Sequence, residues 1–118
     1  MTGRLQPLPD EVWLVDFGEP FPGEPARHRP AVVLGPRQLW GDGFPVVFVV
    51  PTTSVGRGLA GLHVEVEPDG GNGLEEVTYV QCEMVRSVSK RRLVHRLGIV
   101  DGATSHSIAW TVRGLLGY

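Results

Sequence analysis

Residues 12–34 read VWLVDFGEPFPGEPARHRPAVVL, and the alternation of order and disorder-prone chemistry in this stretch decides the fold. Val12 to Phe17 is apolar and β-rich, the composition of a strand. Gly18 to His28 carries Pro20, Pro22, Gly23 and Pro25. It is too rich in proline for a helix and too long for a tight hairpin. Arg29-Pro30 then opens a second strand, Ala31 to Leu34. An arginine where a loop enters a buried strand is a fixed cation with a rigid fork of donors, held still by the apolar residues behind it. Such a group suits a phosphate.

Outward from this stretch, the chain is mostly short strands. Pro30 to Leu34 and Val46 to Val50 are unbroken apolar runs and are predicted as central strands, with GPRQLWGDGF (35–44) as a loop between them. Leu62 to Glu67 alternates Leu-His-Val-Glu-Val-Glu, a strand with one wet face that would carry His63, Glu65 and Glu67. A turn at PDGGNG precedes a strand from Glu76 to Cys82. Val85 to Val88 is a further short strand. Ser89 is placed to cap a helical turn through Leu97, and Gly98-Ile99-Val100 forms a brief strand. Thr104 or Ser105 would cap a final helix with Ile108, Val112 and Leu115 or Leu116 on one face. Five or six short strands and a C-terminal helix predict a mainly β (α+β) fold, a small and strongly bent barrel with helices added. Trp13 and Trp110 fall in apolar patterns and read as core, whereas Trp40, in a polar loop, suits stacking on a base. Cys82, at a strand end with no activating setting, reads as a small packed hydrophobe.

The 118 residues, 42% hydrophobic and 20% charged, fit one globular domain spanning 1–118. No run approaches the ~18 apolar residues of a membrane span. The first residues, MTGRLQPLPD, lack the apolar core of a signal peptide, and one cysteine cannot make an internal disulfide, so a cytoplasmic location is expected. The net charge of −2 argues against nucleic-acid binding through bulk electrostatics. The charges are segregated instead. Arg27, Arg29 and Arg37 cluster early, Arg86, Lys90, Arg91, Arg92 and Arg96 form a second basic stretch, and Glu65, Glu67, Asp69, Glu75 and Glu76 lie between. Local basic patches of this kind could hold a short single strand. No His/Asp/Glu group has metal-ligand spacing, so neither a metal nor another cofactor is expected.

Three blocks carry a family resemblance. They are EVWLVDFGEP…GEPARHRPAVVL, VVFVVPTTS at 46–54 and YVQCEMVRSVSKRRL at 79–93. In order and spacing they resemble the MazF/PemK family of toxin endoribonucleases, and with the final helix they cover nearly the whole chain. The resemblance implies an SH3-like barrel that pairs as a homodimer, with Leu115, Leu116 and Tyr118 as candidates for the covered surface. It also implies cleavage of single-stranded RNA without a metal, by attack of the 2′-hydroxyl, and neutralisation by a cognate antitoxin.

Cleavage of this kind needs a group to take the 2′-hydroxyl proton, one to stabilise the crowded phosphorus and one to protonate the leaving oxygen. By resemblance, the catalytic pair is Arg29, of the Arg-Pro motif, and Thr53, of the Val-Pro-x-Thr motif, with Ser54 assisting. Read without the family, Arg29 would open a strand and pair with Glu24 or Asp16, and Thr53 would cap backbone groups. The proton acceptor stays open among Glu24, which matches a family glutamate, Glu83, which stands where part of the family has aspartate, and His28. Arg86 is a further RNA-binding candidate. Two departures count against a histidine-and-aspartate mechanism: Gly23 stands where some members have histidine, and Gln81 where they have arginine. The competing readings are a non-catalytic binding toxin of the same fold, such as the gyrase-poisoning relatives, and an RNA-binding regulator without turnover.

Overall fold

The two valine-rich runs become central strands because their valines pack on both faces, Phe48 alone in them being exposed. In the computed structural model, which describes residues 6–36, 43–56 and 61–118, the strands are β1 (Glu11–Asp16), β2 (His28–Gly35), β3 (Val46–Thr53), β4 (His63–Val66), β5 (Thr78–Gln81), β6 (Arg86–Ser89) and β7 (Leu93–Ile99). A single helix, α1 (Gly102–Leu116), follows them. Trp40 and Arg37 lie outside the described residues. The strands run antiparallel in the order β4-β5-β3-β2-β1-β7, with β6 also pairing with β3. Successive residues point to opposite faces. Trp13, Val15, Ala31, Val33, Val47 and Val49 therefore fill one core with Val88 and Leu93. Val12, Val32 and Val50 fill another, where Val66, Val80, Cys82 and the helix residues Ile108 and Val112 close over them. The result is a mainly β, barrel-like sheet with one C-terminal helix.

The outer edge of β3 changes partner along its length. Val46 to Val49 pair with β6, and Thr52 and Thr53 pair with β5. The switch falls at Val50-Pro51, and a proline, which has no N–H to give a ladder, suits a point where one ladder has ended and the next has not begun. This is why β3 runs on to Thr53, past the apolar run that ends at Val50. Thr52 is buried, and its hydroxyl donates to the carbonyl of Pro30 at 2.7 Å.

Four local expectations are corrected. Ser89 does cap a turn, accepting from the Arg91 amide at 3.2 Å, but only the 3₁₀ turn Lys90–Arg92 forms. Leu93 to Ile99, expected to be mostly helical, is strand β7, because pairing with β1 satisfies its backbone and buries Leu93 in the core. The helix is capped by Asp101, not Thr104 or Ser105. The Asp101 carboxylate accepts from the Thr104 amide at 2.8 Å, which holds it below its ordinary pKa, and Ser105 Oγ instead donates to Asp10 Oδ1 at 2.7 Å. Trp110 is not core. It is 69% exposed, because with Ile108 and Val112 inward the residue midway between them turns outward, where it stacks on His106. Trp13 is buried as expected. No described helix is long and apolar enough to cross a membrane.

Two polar devices lock the ends of the sheet. Glu11 is buried and accepts from Trp13 Nε1 at 3.0 Å, the Leu8 amide at 2.8 Å and Arg96 Nε at 2.7 Å. Burial pushes its carboxyl up, but these donors outweigh it and hold the group below its usual value. The 68–74 turn is built around buried Asn72, whose side chain bonds Glu67, Asp69 and Leu74 backbone, and it sits directly on β7. The approach is close enough that a Cβ on Gly98 would lie 2.3 Å from the Gly71 carbonyl oxygen, and one on Gly73, at φ +72°, would lie 2.2 Å from that of Leu97.

Both devices give expected outcomes. Gly98→Ala should cost about 1–3 kcal/mol in urea unfolding, since the clash is with backbone that has nowhere to move. Because the folded carboxyl of Glu11 is depressed, its contribution is complete above the usual value near 4.5 and is lost as pH falls through the lower folded value. Acid titrations of stability should therefore show a shallower loss below about pH 4.5 for Glu11→Gln than for the parent chain.

Candidate functional site

Arg29 is the second residue of β2, and its position is fixed by backbone rather than by a carboxylate. Nε donates to the carbonyl of Ala26 in the proline-rich loop, and Nη1 donates to that of Thr52 on β3, both at 3.2 Å. Among the described residues the guanidinium makes no ion pair, so the pairing with Glu24 or Asp16 is not formed. Asp16 accepts from the Gly18 amide at 2.9 Å and lies 4.0 Å from His28, while Glu24 accepts from the Phe21 amide at 2.8 Å within its own loop. A guanidinium carries five N–H donors, so the two bonds to carbonyls leave part of the fork for a ligand.

The two threonines that follow Pro51 divide their roles by strand alternation. Thr52 faces inward and ties β3 to Pro30. Thr53 is half-buried, and its hydroxyl accepts from the Val55 amide at 3.2 Å, which leaves its own O–H free to donate outward. Both readings made for it from sequence are compatible: it caps backbone and still presents a donor.

Arg29, Thr53, Ser54, Glu24, His28 and Glu83 all line one open cleft of about 970 Å³. The cleft thus gathers residues from the 18–28 loop, β2, β3 and the 3₁₀ turn Cys82–Met84 after β5. Arg86, on β6, is not among its lining residues. The cleft also takes in Glu75 and Glu76, so Arg29 faces a wall rich in carboxylates. Cys82, adjacent to Glu83, is fully buried, and burial first and the charge of Glu83 second push its thiol up to about 11, far from a nucleophile's range.

One lining residue was read differently from sequence. His63 was expected on a solvated strand face, yet its side chain is only 4% exposed. Its Nε2 lies 2.9 Å from Glu83 Oε2, and β4–β5 pairing sets it opposite Gln81. The alternation was right, and Glu65 and Glu67 are exposed on that face, but its His63 end is closed by Glu83 of the 3₁₀ turn. Only the pairing register brings residues 63 and 83 together, and nothing local in sequence announces it. Three buried side-chain atoms here lack a partner: His63 Nδ1, Gln81 Oε1 and Glu83 Oε1. Each such atom costs about 1–3 kcal/mol when left dry. Among the described residues no three His, Cys, Asp or Glu side chains are grouped to hold a metal ion.

Comparison with known proteins extends this picture. The model of the PemK-like, MazF-like toxin of type II toxin–antitoxin systems matches residues 9–116. Among solved structures, MazF from Deinococcus radiodurans superposes with a TM-score of 0.80 at 23% identity, over 95% of this chain and 97% of that one. A mycobacterial endoribonuclease in complex with its cognate antitoxin gives 0.75 at 22% identity, over 95% and 96%. The Mycobacterium tuberculosis toxin MazF-mt6 gives 0.71 at 20%, over 91% and 96%.

The division of labour between the threonines is testable by stability alone. Thr52→Val should cost about 1 kcal/mol in urea melts, because it strips the partly buried carbonyl of Pro30 of its donor. Thr53→Val should change stability by less than about 0.5 kcal/mol, as expected for a position outside the core.

Proposed function

Because the chain belongs to the PemK-like, MazF-like toxin family of type II toxin–antitoxin systems, we propose that it is an endoribonuclease that cuts single-stranded RNA and is restrained by a cognate antitoxin. The observation that carries this reading is the guanidinium of Arg29, anchored on two carbonyls beside the Thr53 hydroxyl in an open cleft. A phosphodiester laid across the pair would receive a charge-assisted fork from Arg29 and a hydroxyl bond from Thr53. The 2′-hydroxyl of the preceding ribose loses its proton and attacks phosphorus, the P–O5′ bond breaks, the leaving O5′ takes a proton from water or from the group that accepted the 2′ proton, and the products are a 2′,3′-cyclic phosphate and a 5′-hydroxyl. Arg29 stabilises the charge that develops on the equatorial oxygens, a role suited to a group that does not give up its proton. Glu24, Glu83 and His28 stand around the cleft as candidates to take the 2′-hydroxyl proton, and Ser54 assists in holding the phosphate. None of these steps requires a metal ion.

The partners follow from the same surface. The Gly18–His28 loop forms one wall of the cleft, so an acidic antitoxin segment crossing it would reach Arg29 and exclude RNA. Leu115, Leu116 and Tyr118 are exposed at the end of α1, which supports a homodimer that covers them. The work would be done in the cytoplasm, where mRNA is found.

The test is cleavage of a long RNA in EDTA. The parent chain should cut, and Arg29→Ala should be slower by about a hundredfold or more, the size of one lost oxyanion donor. Arg29→Lys should recover little of that loss, because a point charge does not reproduce the fork. A folded Arg29→Ala with near-normal rates would overturn the assignment, and binding of RNA without cleavage by the parent chain would favour a silent module.

A further inference from the structure

Thr53 ends β3, and strand pairing alone does not fix where its hydroxyl points. A threonine side chain has staggered wells about χ1 that send the O–H in different directions. The well occupied here is one in which Oγ1 accepts from the Val55 amide at 3.2 Å. That bond is only as steady as the backbone from Ser54 to Gly56, which is exposed and belongs to no strand.

Tyr79 supplies a contact that steadies it. The register sets Tyr79 of β5 directly opposite Thr53, so the two side chains share a face with their Cβ atoms ~5 Å apart. Its ring reaches to Gly56, where a Cβ would lie 3.0 Å from Cζ and 3.2 Å from Cε2 and Oη. The φ of Gly56 is outside the left-handed region, so glycine stands there for room and not for conformation. Tyr79 is half-buried and is not among the residues that line the cleft. It therefore meets Thr53 and the 54–56 backbone rather than a bound strand.

We infer that Tyr79 is a positioning residue for the Thr53 hydroxyl. Its ring holds the 54–56 backbone, and the Val55 amide of that backbone holds Oγ1 so that the O–H is presented to the phosphate. The inference rests on the proposed RNA-cleaving function and adds to it a residue outside the cleft. A hydroxyl free to change wells would have to be ordered at each turnover, and a misplacement of ~1 Å can cost about a hundredfold in rate. The contact includes ring carbons, so a phenyl ring should serve in place of the phenol.

The experiment measures kcat and KM in EDTA on a short oligoribonucleotide that carries one cut site mapped with the parent chain. It also reads the χ1 rotamer of Thr53 from three-bond NMR couplings. Tyr79→Ala should lower kcat by about tenfold or more with KM little changed, and its couplings should show Thr53 averaging over wells where the parent occupies one. Tyr79→Leu, which keeps an apolar side chain on β5 but is too short to reach Gly56, should behave in the same way. Tyr79→Phe should keep both the rate and the single rotamer. In a Thr53→Val background Tyr79→Ala should add no further loss, since no hydroxyl is left to place. A raised KM with unchanged kcat would make Tyr79 an RNA contact and overturn the inference. So would a full further loss in the Thr53→Val background, or parent-like rate and rotamer in Tyr79→Ala and Tyr79→Leu. A parent chain that cuts nothing overturns the proposed function. The couplings then decide the positioning alone: averaging in Tyr79→Leu supports it, and a single Thr53 rotamer overturns it.

Discussion

The site depends on a clamp between the last residues of β3 and the first of β2. Thr52 reaches across with its hydroxyl to the carbonyl of Pro30, and Arg29 reaches back with Nη1 to the carbonyl of Thr52. Each bond satisfies a backbone group where regular pairing is running out, because the β2–β3 ladder ends at Ala31 and Pro51. The cation is held by the same contacts that close the sheet. A guanidinium placed this way loses little rotamer freedom when it meets a ligand, which is the physical content of preorganisation. Behind the clamp lie the two valine cores, one on each face of β1, β2 and β3, and they make the frame stiff enough for the geometry to hold.

Charge around the clamp shapes what the cleft can accept. Among the described lining residues Arg29 is the sole arginine, against the carboxylates of Glu24, Glu75, Glu76 and Glu83. A surface of this sign does not draw in a polyanion from a distance, in keeping with the net charge of −2. On the proposed function, affinity for RNA would come from a few short contacts, a phosphate on Arg29 first among them, and salt dependence should be correspondingly small.

Much of the frame was legible because strand burial writes itself in period two. The short unbroken apolar runs at 30–34 and 46–50, rich in β-branched valine, read as strands with valines packed on both faces, and the Pro/Gly density of 18–28 as a loop. Arg29, Thr53, Ser54, Glu24, His28 and Glu83 were readable as a set through the family resemblance, and the fold does collect them around one cleft. What was not legible depends on pairing at a distance. Leu93 to Leu97 has no period of its own, and only the empty edge of β1 makes it a strand. Trp110 is a different case: the sequence already set Ile108 and Val112 on one helix face, and that phase alone turns position 110 outward. His63 looked solvated because alternation names a face without saying what covers it.

The central claim is that the cleft seats an RNA phosphate on Arg29 and Thr53. The most direct measurement is a crystal structure of this chain with a short oligoribonucleotide whose nucleotide at the cut carries a 2′-deoxy ribose, which binds without reacting. The account predicts a phosphate with one oxygen within about 3 Å of the Arg29 guanidinium and another at the Thr53 hydroxyl. An oligonucleotide bound elsewhere on the surface, with Arg29 still bonded only to the carbonyls of Ala26 and Thr52, would contradict it.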